Sequence, residues 1–326
     1  MDGFETNSQS TQSKIVDNSQ NTDQTASMSI NVPNVALIFE GGGMRNAYTA
    51  AVVTTLLAEG LYFPKAYGVS AGSALAAGYV AQDPTWTRNI FTDTARLKKT
   101  GGAVSFLTGH GFFNTEYVFG DLAEHAENAK SPWYFDFDTF QSNPADVHIE
   151  ALNETNAQTV AWTKSSMPTL HDVLVRIEAS CSYPLFTPPI RINGDLYVDG
   201  GMGTSHGICL DAARRDGFEK FFIVRTQPRA YRMPPLRTSK HIAYDVAYCR
   251  HRKVYHALVD RPKAYDALLD EIEQLRSEGI AYVFCPETMS ITYMTKNYQA
   301  LTHAYELGIE QCKKELPQWR QWLARA

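Results

Sequence analysis

A serine between two glycines is the first group in this chain with the sequence context of a nucleophile. Ser70 stands in Gly68-Val69-Ser70-Ala71-Gly72, which matches the pattern G-x-S-x-G. In that pattern the glycines allow a sharp turn between a strand and a helix, and the turn exposes the serine hydroxyl. The following helix points its free N–H groups toward that oxygen. The pentapeptide alone is also compatible with a close crossing of a helix and a strand, in which Ser70 only packs.

A run of three glycines has the backbone freedom to supply amide donors for an oxyanion. Gly41-Gly42-Gly43 follows an apolar run and precedes a helical pattern, so it lies at the same sheet edge as Ser70. A nucleotide-binding loop is one alternative. However, the chain has no G-x-x-x-x-G-K-[ST] motif, and Asn46 occupies the third glycine position of G-x-G-x-x-G. A plain tight turn remains open.

A serine nucleophile also needs a base, and Asp199 is the first candidate. It follows the strand-like segment 196–198 and precedes two glycines, so its carboxylate can reach a crevice beyond the sheet. Asp-Gly also favours turns, which is the alternative reading. The chain order of Ser70, Asp199 and His206 matches an α/β-hydrolase triad. Against that triad, Ser70 follows only the second strand, and Asp199 is close to His206 in sequence.

The order of these motifs resembles that of the patatin-like phospholipase family. G-G-G-M-R at 41–45 comes first, G-V-S-A-G follows soon afterwards, and D-G-G at 199–201 comes much later. The segment 178–189, E-A-S-C-S-Y-P-L-F-T-P-P, is similar to the segment that leads into the family's Asp strand. The resemblance runs from about Val35 to Val224, and the C-terminal hundred residues are similar to one bacterial branch of the family.

This resemblance implies a catalytic dyad without histidine. Ser70 would attack an ester carbonyl and Asp199 would take its proton, with the glycine loop binding the oxyanion. An ordinary aspartate, with a pKa of about 4, is a weak base for a hydroxyl. The site must therefore exclude water from the carboxylate, which raises its pKa. Arg45 matches the family's arginine after the glycines, where it supports the oxyanion, binds a lipid phosphate or braces the loop through a carboxylate.

Apolar runs and helical periodicity predict the elements that position these residues. Strands are predicted at 34–40 and 66–69, and helices at 45–59 and 70–81, with Pro84 ending the second helical region. This βαβα order implies a parallel sheet. The remaining predictions are a wall or lid at 90–145, a hairpin at 147–151 and 159–162, strands at 196–198, 220–224 and 281–284, and helices from Thr169 and about Asn297.

These elements predict an α/β fold, a three-layer sandwich around a mainly parallel central sheet with a helical C-terminal region. Residues 1–33 are polar and predict a disordered tail. Residues 34–230 are the expected patatin-like catalytic domain. Residues 231–326 are expected to be mostly helical and packed on it.

Composition excludes some classes of protein. A net charge of −5 and the lack of a basic run argue against nucleic-acid binding. No apolar run approaches the length of a membrane span. Five cysteines without a C-x-x-C pair, and an N-terminus without the pattern of a secretory signal, predict a cytoplasmic protein. Peripheral contact with a membrane surface is left open.

The sequence therefore predicts a serine acyl hydrolase of lipid-like carboxylic esters that uses no cofactor and no metal. His251 and His256 are five residues apart and do not share a helix face, so a metal site there is disfavoured. The alternative is a lipid-binding or regulatory module that keeps the fold without turnover. The motifs do not specify the head group, the ester position or the oligomeric state.

Overall fold

The computed structural model describes residues 29–126 and 129–326. A disordered tail is predicted over residues 1–33, and residues 1–28 of it lie outside the described residues. Its last part is packed on the body, because the amides of Asn31 and Val32 donate to the carbonyl of Tyr62 at 3.1 Å and Val32 is buried. The packed part of the chain thus begins before residue 34.

The described residues form a central sheet of eight strands. Its strands are β1 (Val35–Phe39), β2 (Lys65–Val69), β3 (Asp146–Asn153), β4 (Thr159–Trp162), β5 (Ile190–Ile192), β6 (Asp195–Asp199), β7 (Lys220–Val224) and β8 (Ala281–Phe284). Their order is β5-β6-β3-β2-β1-β7-β8, with β4 paired to β3. The run from β3 through β2, β1 and β7 to β8 is parallel, and β4, β5 and β6 add antiparallel pairings.

Helices cover both faces of this sheet. The α-helices of the described ranges are α1 (Asn46–Ala58), α2 (Ala71–Val80), α3 (Pro84–Phe91), α4 (Ala103–Leu107), α5 (Phe137–Ser142), α6 (Leu170–Ser180), α7 (Leu210–Arg215), α8 (Thr238–Ala247), α9 (Arg252–Ser277) and α10 (Tyr298–Leu323). A π-helical segment at Tyr117–Glu124 packs against α6.

The core has two parts because the side chains of each strand alternate between the two faces of the sheet. Leu37 and Phe39 of β1 pack with α1, α2, α6 and α10, whereas Ala36 and Ile38 pack with α7 and α9. All five residues of β1 are buried, as expected for a parallel strand with helices on both sides. The predicted three-layer α/β fold with a mainly parallel sheet and a helical C-terminal region is confirmed.

Two local predictions differ from the structure. The helix α2 ends at Val80, and Pro84 begins the next helix instead of ending this one. Proline suits that first position because its missing N–H would have no partner there, and the Asp83 carboxylate accepts from the amide of Trp86 at 2.7 Å. The strand β5 was not predicted. It is three residues long and joins β6 through Asn193 and Gly194, both with positive φ.

The C-terminal residues belong to the same core as the first helices. The helix α10 packs on α1, where the Tyr48 hydroxyl donates to the Gln311 side chain at 2.6 Å. Gly308 permits this approach, since a Cβ there would lie 2.3 Å from the Tyr48 carbonyl oxygen. Trp319 is fully buried against Phe222 of β7.

No helix in the described ranges has both the length and the apolar character needed to cross a membrane.

Candidate active site

Ser70 lies on a tight turn between β2 and α2. Its φ is 53°, a left-handed conformation that is uncommon for a residue other than glycine. The flanking glycines permit the turn, because a Cβ on Gly68 would lie 2.3 Å from the carbonyl oxygen of Gly72. A Cβ on Gly72 would lie 2.5 Å from the carbonyl oxygen of Phe39. The pentapeptide thus forms the strand–turn–helix expected of G-x-S-x-G.

The Ser70 hydroxyl donates a hydrogen bond to Asp199. The distance from Ser70 Oγ to Asp199 Oδ2 is 2.6 Å. Asp199 is 2% exposed and its second oxygen accepts from the Gly201 amide at 2.7 Å. The sheet topology brings the two residues together, because β3 lies between β2 and β6 and pairs with both.

Burial changes the chemistry of this carboxylate. Desolvation raises the pKa of Asp199 above its usual value. The hydrogen bonds from Ser70 and Gly201 and the charge of Arg261 act in the opposite direction. The net increase makes Asp199 a stronger base than an exposed aspartate, as the sequence argument required.

The glycine loop lies directly beside Ser70. A Cβ on Gly41 would be 2.8 Å from Ser70 Cβ, so a side chain there would collide with Ser70. The Gly41 amide, however, donates to the Gly207 carbonyl at 3.0 Å. In the described part of the chain no acceptor is bonded to the amides of Gly42 and Gly43. The expected set of three oxyanion donors is therefore reduced to two.

A buried group of charged and polar side chains stabilises the glycine loop. Glu40 accepts from the Thr226 amide at 2.5 Å and from the Tyr265 hydroxyl, and Arg225 Nε lies 4.0 Å from its carboxylate. The Thr226 hydroxyl in turn donates to the Gly41 carbonyl at 3.3 Å. These contacts fix the backbone direction of the glycine loop.

Arg45 lines the same cavity as Ser70 and Asp199, which is described below. Its guanidinium lies 5.9 Å from the ring centre of Tyr293. Within residues 29–126 and 129–326 no carboxylate lies within ion-pair distance of it, and its buried Nε has no hydrogen-bond partner. Of the roles expected from the sequence, bracing through a carboxylate is not observed. The arginine presents its charge to the pocket.

His206 is not joined to the Ser70–Asp199 pair. It is half-buried, and no hydrogen bond in the described part of the chain links its ring to either residue. Burial and the nearby Arg261 lower the pKa of His206. The α/β-hydrolase triad considered from the sequence is therefore not formed in this structure.

Ser70 and Asp199 open into a cavity of about 340 Å³. Its wall is largely apolar and includes Ile90, Phe91, Phe113, Val118, Phe119, Phe186, Met233, Leu236 and Leu258. Of the segment 90–145, predicted as a wall or lid, residues between Ile90 and Phe119 line the cavity. A larger groove of about 670 Å³ lies between β8 and α10, but Ser70 and Asp199 do not line it. The apolar cavity is the better candidate, because it contains the reactive pair.

The C-terminal region contributes residues that the sequence analysis missed. Arg261 of α9 donates from Nε to the Gly201 carbonyl at 2.7 Å, and a second nitrogen lies 3.5 Å from the His206 carbonyl. It thus holds the loop that follows Asp199. Tyr293 and Lys296 also line the cavity. The basic character of residues 250–263 is the sequence signal that could have indicated this contribution.

One group of side chains outside the cavity has the donors of a metal site. The ligand atoms of His148, Glu150 and Cys209 lie within 4.8 Å of one another, and all three residues are buried. His148 Nε2 and Glu150 Oε1 are 3.0 Å apart. Burial raises the pKa of the Cys209 thiol well above its usual range, so a metal would have to displace the thiol proton. None of the three residues lines the cavity that contains Ser70, so a ligand in that cavity would not contact them.

Comparison with known proteins identifies the family. The family model of patatin-like phospholipases matches residues 37–208. The chain belongs to the patatin-like phospholipase family. This patatin-like chain also matches a domain of unknown function, DUF6363, over residues 251–324. The family is one of lipid hydrolases, which makes ester hydrolysis the reaction to test.

Two further proteins are similar to this patatin-like chain. The uncharacterized protein YjjU of Escherichia coli (strain K12) is 24% identical over 200 residues, which cover 60% of this chain and 52% of YjjU. The chain thus spans about half the length of that relative. The crystal structure of VipD from Legionella pneumophila aligns with a TM-score of 0.43 and 12% identity, covering 86% of this chain and 67% of VipD.

Proposed function

We propose that this patatin-like chain is a serine acyl hydrolase of lipid-like carboxylic esters, with Ser70 as nucleophile and Asp199 as general base. The observation that supports it is the 2.6 Å hydrogen bond from the Ser70 hydroxyl to a buried Asp199, both of which line an apolar cavity. Family membership agrees with this reaction class.

Acylation begins with the transfer of the Ser70 proton to Asp199 Oδ2 as Ser70 Oγ attacks the ester carbonyl carbon. The carbonyl oxygen becomes an oxyanion, and the amides of Gly42 and Gly43, which line the cavity and have no acceptor in the described part of the chain, would bind it. The positive charge of Arg45 favours the same oxyanion. Collapse breaks the bond to the leaving alcohol, which takes the proton from Asp199.

Deacylation uses the same groups in reverse order. Asp199 accepts a proton from a water molecule as that water attacks the acyl carbon. The second tetrahedral intermediate releases the carboxylic acid, and the proton returns from Asp199 to Ser70. No additional titrating side chain is required, so His206 has no part in the cycle.

The cavity wall indicates the kind of acyl group. The surface near Ser70 is mainly aromatic and aliphatic, so it removes apolar surface from water when an acyl chain enters. Charged groups, namely Arg45, Lys240, Arg261 and Lys296, lie among the lining residues. This combination suits an ester with an apolar acyl chain and a polar or anionic leaving group.

The test is labelling with a fluorophosphonate, mapped to its peptide, together with hydrolysis of a soluble short-chain ester. We expect the label on Ser70 in the wild type, and neither label nor hydrolysis in Ser70→Ala. Asp199→Asn should lower the rate by about 10³-fold, since it keeps the shape of the carboxylate but removes the base. His206→Ala is the matched control and should retain labelling and turnover.

The proposal fails if the wild type neither reacts nor hydrolyses the ester. A label on a residue other than Ser70 would also contradict it. Loss of activity in a folded His206→Ala protein would restore a histidine-dependent mechanism. Retention of a bound lipid without hydrolysis would favour the alternative of a lipid-binding module.

A further inference from the structure

Among the described residues, the exposed large apolar side chains lie on segments that border the Ser70 cavity. In the part of the chain that the structure describes, they are Val104, Phe106, Leu107, Leu185, Ile242 and Val246, each between 40% and 83% exposed. All six lie on segments whose neighbouring residues line the Ser70 cavity. Soluble monomers seldom expose a cluster of this kind unless it binds something.

The first part of this surface is the short helix α4. Thr100 and Phe113, on either side of the loop that contains it, line the cavity, and Gly101 forms a bridge with Phe113. The base of the loop is therefore held against the cavity wall. Its tip, α4, has no buried residue and directs its apolar side chains to solvent. Leu185 is next to Phe186, another lining residue.

The second part is the helix α8. Tyr244 is its buried residue, whereas Ile242 and Val246, one turn apart, point outward. Lys240, also on α8, and Leu236 just before it line the cavity. The apolar stripe of α8 is thus on the solvent side of a helix that borders the cavity.

Both parts carry positive charge, although the whole chain has a net charge of −5. Between Asp93 and Glu116 there are three lysine or arginine residues and no carboxylate. Residues 236–253 contain five lysine or arginine residues and one carboxylate, Asp245, which is paired with Arg252. The exposed apolar groups are therefore surrounded by an excess of cations.

We propose that this surface, formed by α4, Leu185 and α8 and called the docking face below, binds an anionic phospholipid bilayer. Apolar side chains flanked by cations match a membrane interface, where the side chains enter the acyl region and the cations meet anionic head groups. A second copy of the chain fits less well, because two positively charged faces would repel each other. Docking places the mouth of the Ser70 cavity against the bilayer.

The experiment measures flotation with vesicles of phosphatidylcholine alone and of phosphatidylcholine containing about one third phosphatidylglycerol. The protein is the full chain with Ser70→Ala, so that binding is measured without turnover. We expect it to float with the anionic vesicles, and high salt should weaken this binding. A failure of the proposed hydrolase function leaves this result unchanged, so the two proposals are tested separately.

Two double variants of the same chain test the docking face. Phe106→Ser with Leu107→Ser should weaken vesicle binding by about tenfold or more. Lys98→Glu with Lys99→Glu, which reverses two of the cations that flank the docking face just before α4, should weaken the preference for anionic vesicles. The matched control is Lys313→Glu with Lys314→Glu on α10, which makes the same charge change outside the docking face and should bind normally. Thermal unfolding verifies that each variant is folded.

The proposal is overturned if the parent protein floats with neither kind of vesicle, or if the Phe106→Ser and Leu107→Ser variant binds as well as its parent. Light scattering supplies the other decisive result. A dimer that dissociates in that variant would assign the docking face to a second copy of the chain instead of a bilayer.

Discussion

Asp199 combines two properties that oppose each other, a carboxyl group that carries a full negative charge when it is ionised and almost complete burial. Burial raises its pKa, and the Ser70 hydroxyl and the Gly201 amide offset part of that effect by donating to its oxygens. The same desolvation that makes the carboxylate a useful base also makes its ionised form costly in the folded protein.

We therefore predict a specific pH dependence for the wild type. Only ionised Asp199 accepts the serine proton, so kcat/KM for a soluble ester should rise as pH increases through the elevated pKa of Asp199. The folded-state pKa exceeds the unfolded value of about 3.9, so this residue's contribution to stability falls as pH rises between the two. The measurements are a pH–rate profile and urea unfolding across that range.

Asp199→Asn is the variant that separates the two effects. It should lose activity yet unfold at an equal or higher urea concentration than the wild type at neutral pH, because it removes a buried charge while keeping hydrogen-bonding groups. Asp195→Asn is the matched control, since Asp195 is an exposed residue of the same strand. A clearly less stable Asp199→Asn protein would refute the stated cost of ionisation.

These residues differ in how well the sequence alone could predict them. Ser70 and Asp199, which stay predictions as site residues, could be selected because Ser70 lies between two glycines after a strand and Asp199 ends a strand before two glycines. The hydrogen bond from the Gly41 amide to the Gly207 carbonyl could not be predicted, because it depends on how a distant loop packs. Arg261 was missed for the same reason, since its contact with Gly201 joins residues sixty positions apart.

At the scale of elements, buried parallel strands were the most predictable feature. The apolar runs at β1, β2, β7 and β8 have near-correct bounds because both faces of each strand are covered. The strand β5 was missed, since three residues contain too little of a pattern, although Asn193-Gly194 is a strong hairpin turn signal. The position of β3 between β2 and β6 depends on pairing between strands that are distant in sequence, so no local sequence pattern predicts it.

The contact between α1 and α10 leads to a prediction at this scale. Gly308→Ala should destabilise the fold by about 1–3 kcal/mol, because its Cβ would lie 2.3 Å from the Tyr48 carbonyl oxygen and 2.9 Å from Ala51 Cβ. Helix propensity alone would make the alanine variant more stable, so a loss of stability would be due to the steric contact. Urea unfolding measures the difference.

Gly120→Ala is the control for Gly308→Ala. Gly120 also lies in a helical segment, but a Cβ there would meet no atom within 4 Å. It should leave stability nearly unchanged. If the two variants unfold at the same urea concentration, the close approach of α10 to α1 does not determine stability.

At the scale of the whole molecule, the end of the sheet that carries Ser70 and the C-terminal helices form one structure. The family match that contains Ser70 ends at residue 208, yet Arg261 and Tyr293, from beyond that point, line its cavity. The strand β8 pairs with β7, and Phe284 and Trp319 pack in the same apolar cluster as Phe39. The docking face likewise combines α4 with α8, from opposite sides of that boundary.

This arrangement predicts that the N-terminal two thirds cannot fold alone. A chain ending at residue 235 would expose the backbone edge of β7, where β8 normally pairs, and the apolar surface against which Trp319 packs. We expect it to aggregate and to lack the cooperative thermal transition of the full chain, measured by circular dichroism and light scattering. The full chain with Trp322→Ala is the control, because Trp322 is only partly buried and its loss should leave a cooperative transition. A soluble, monomeric truncated protein that still reacts with a fluorophosphonate at Ser70 would show that the C-terminal region is an independent addition to a self-sufficient catalytic unit.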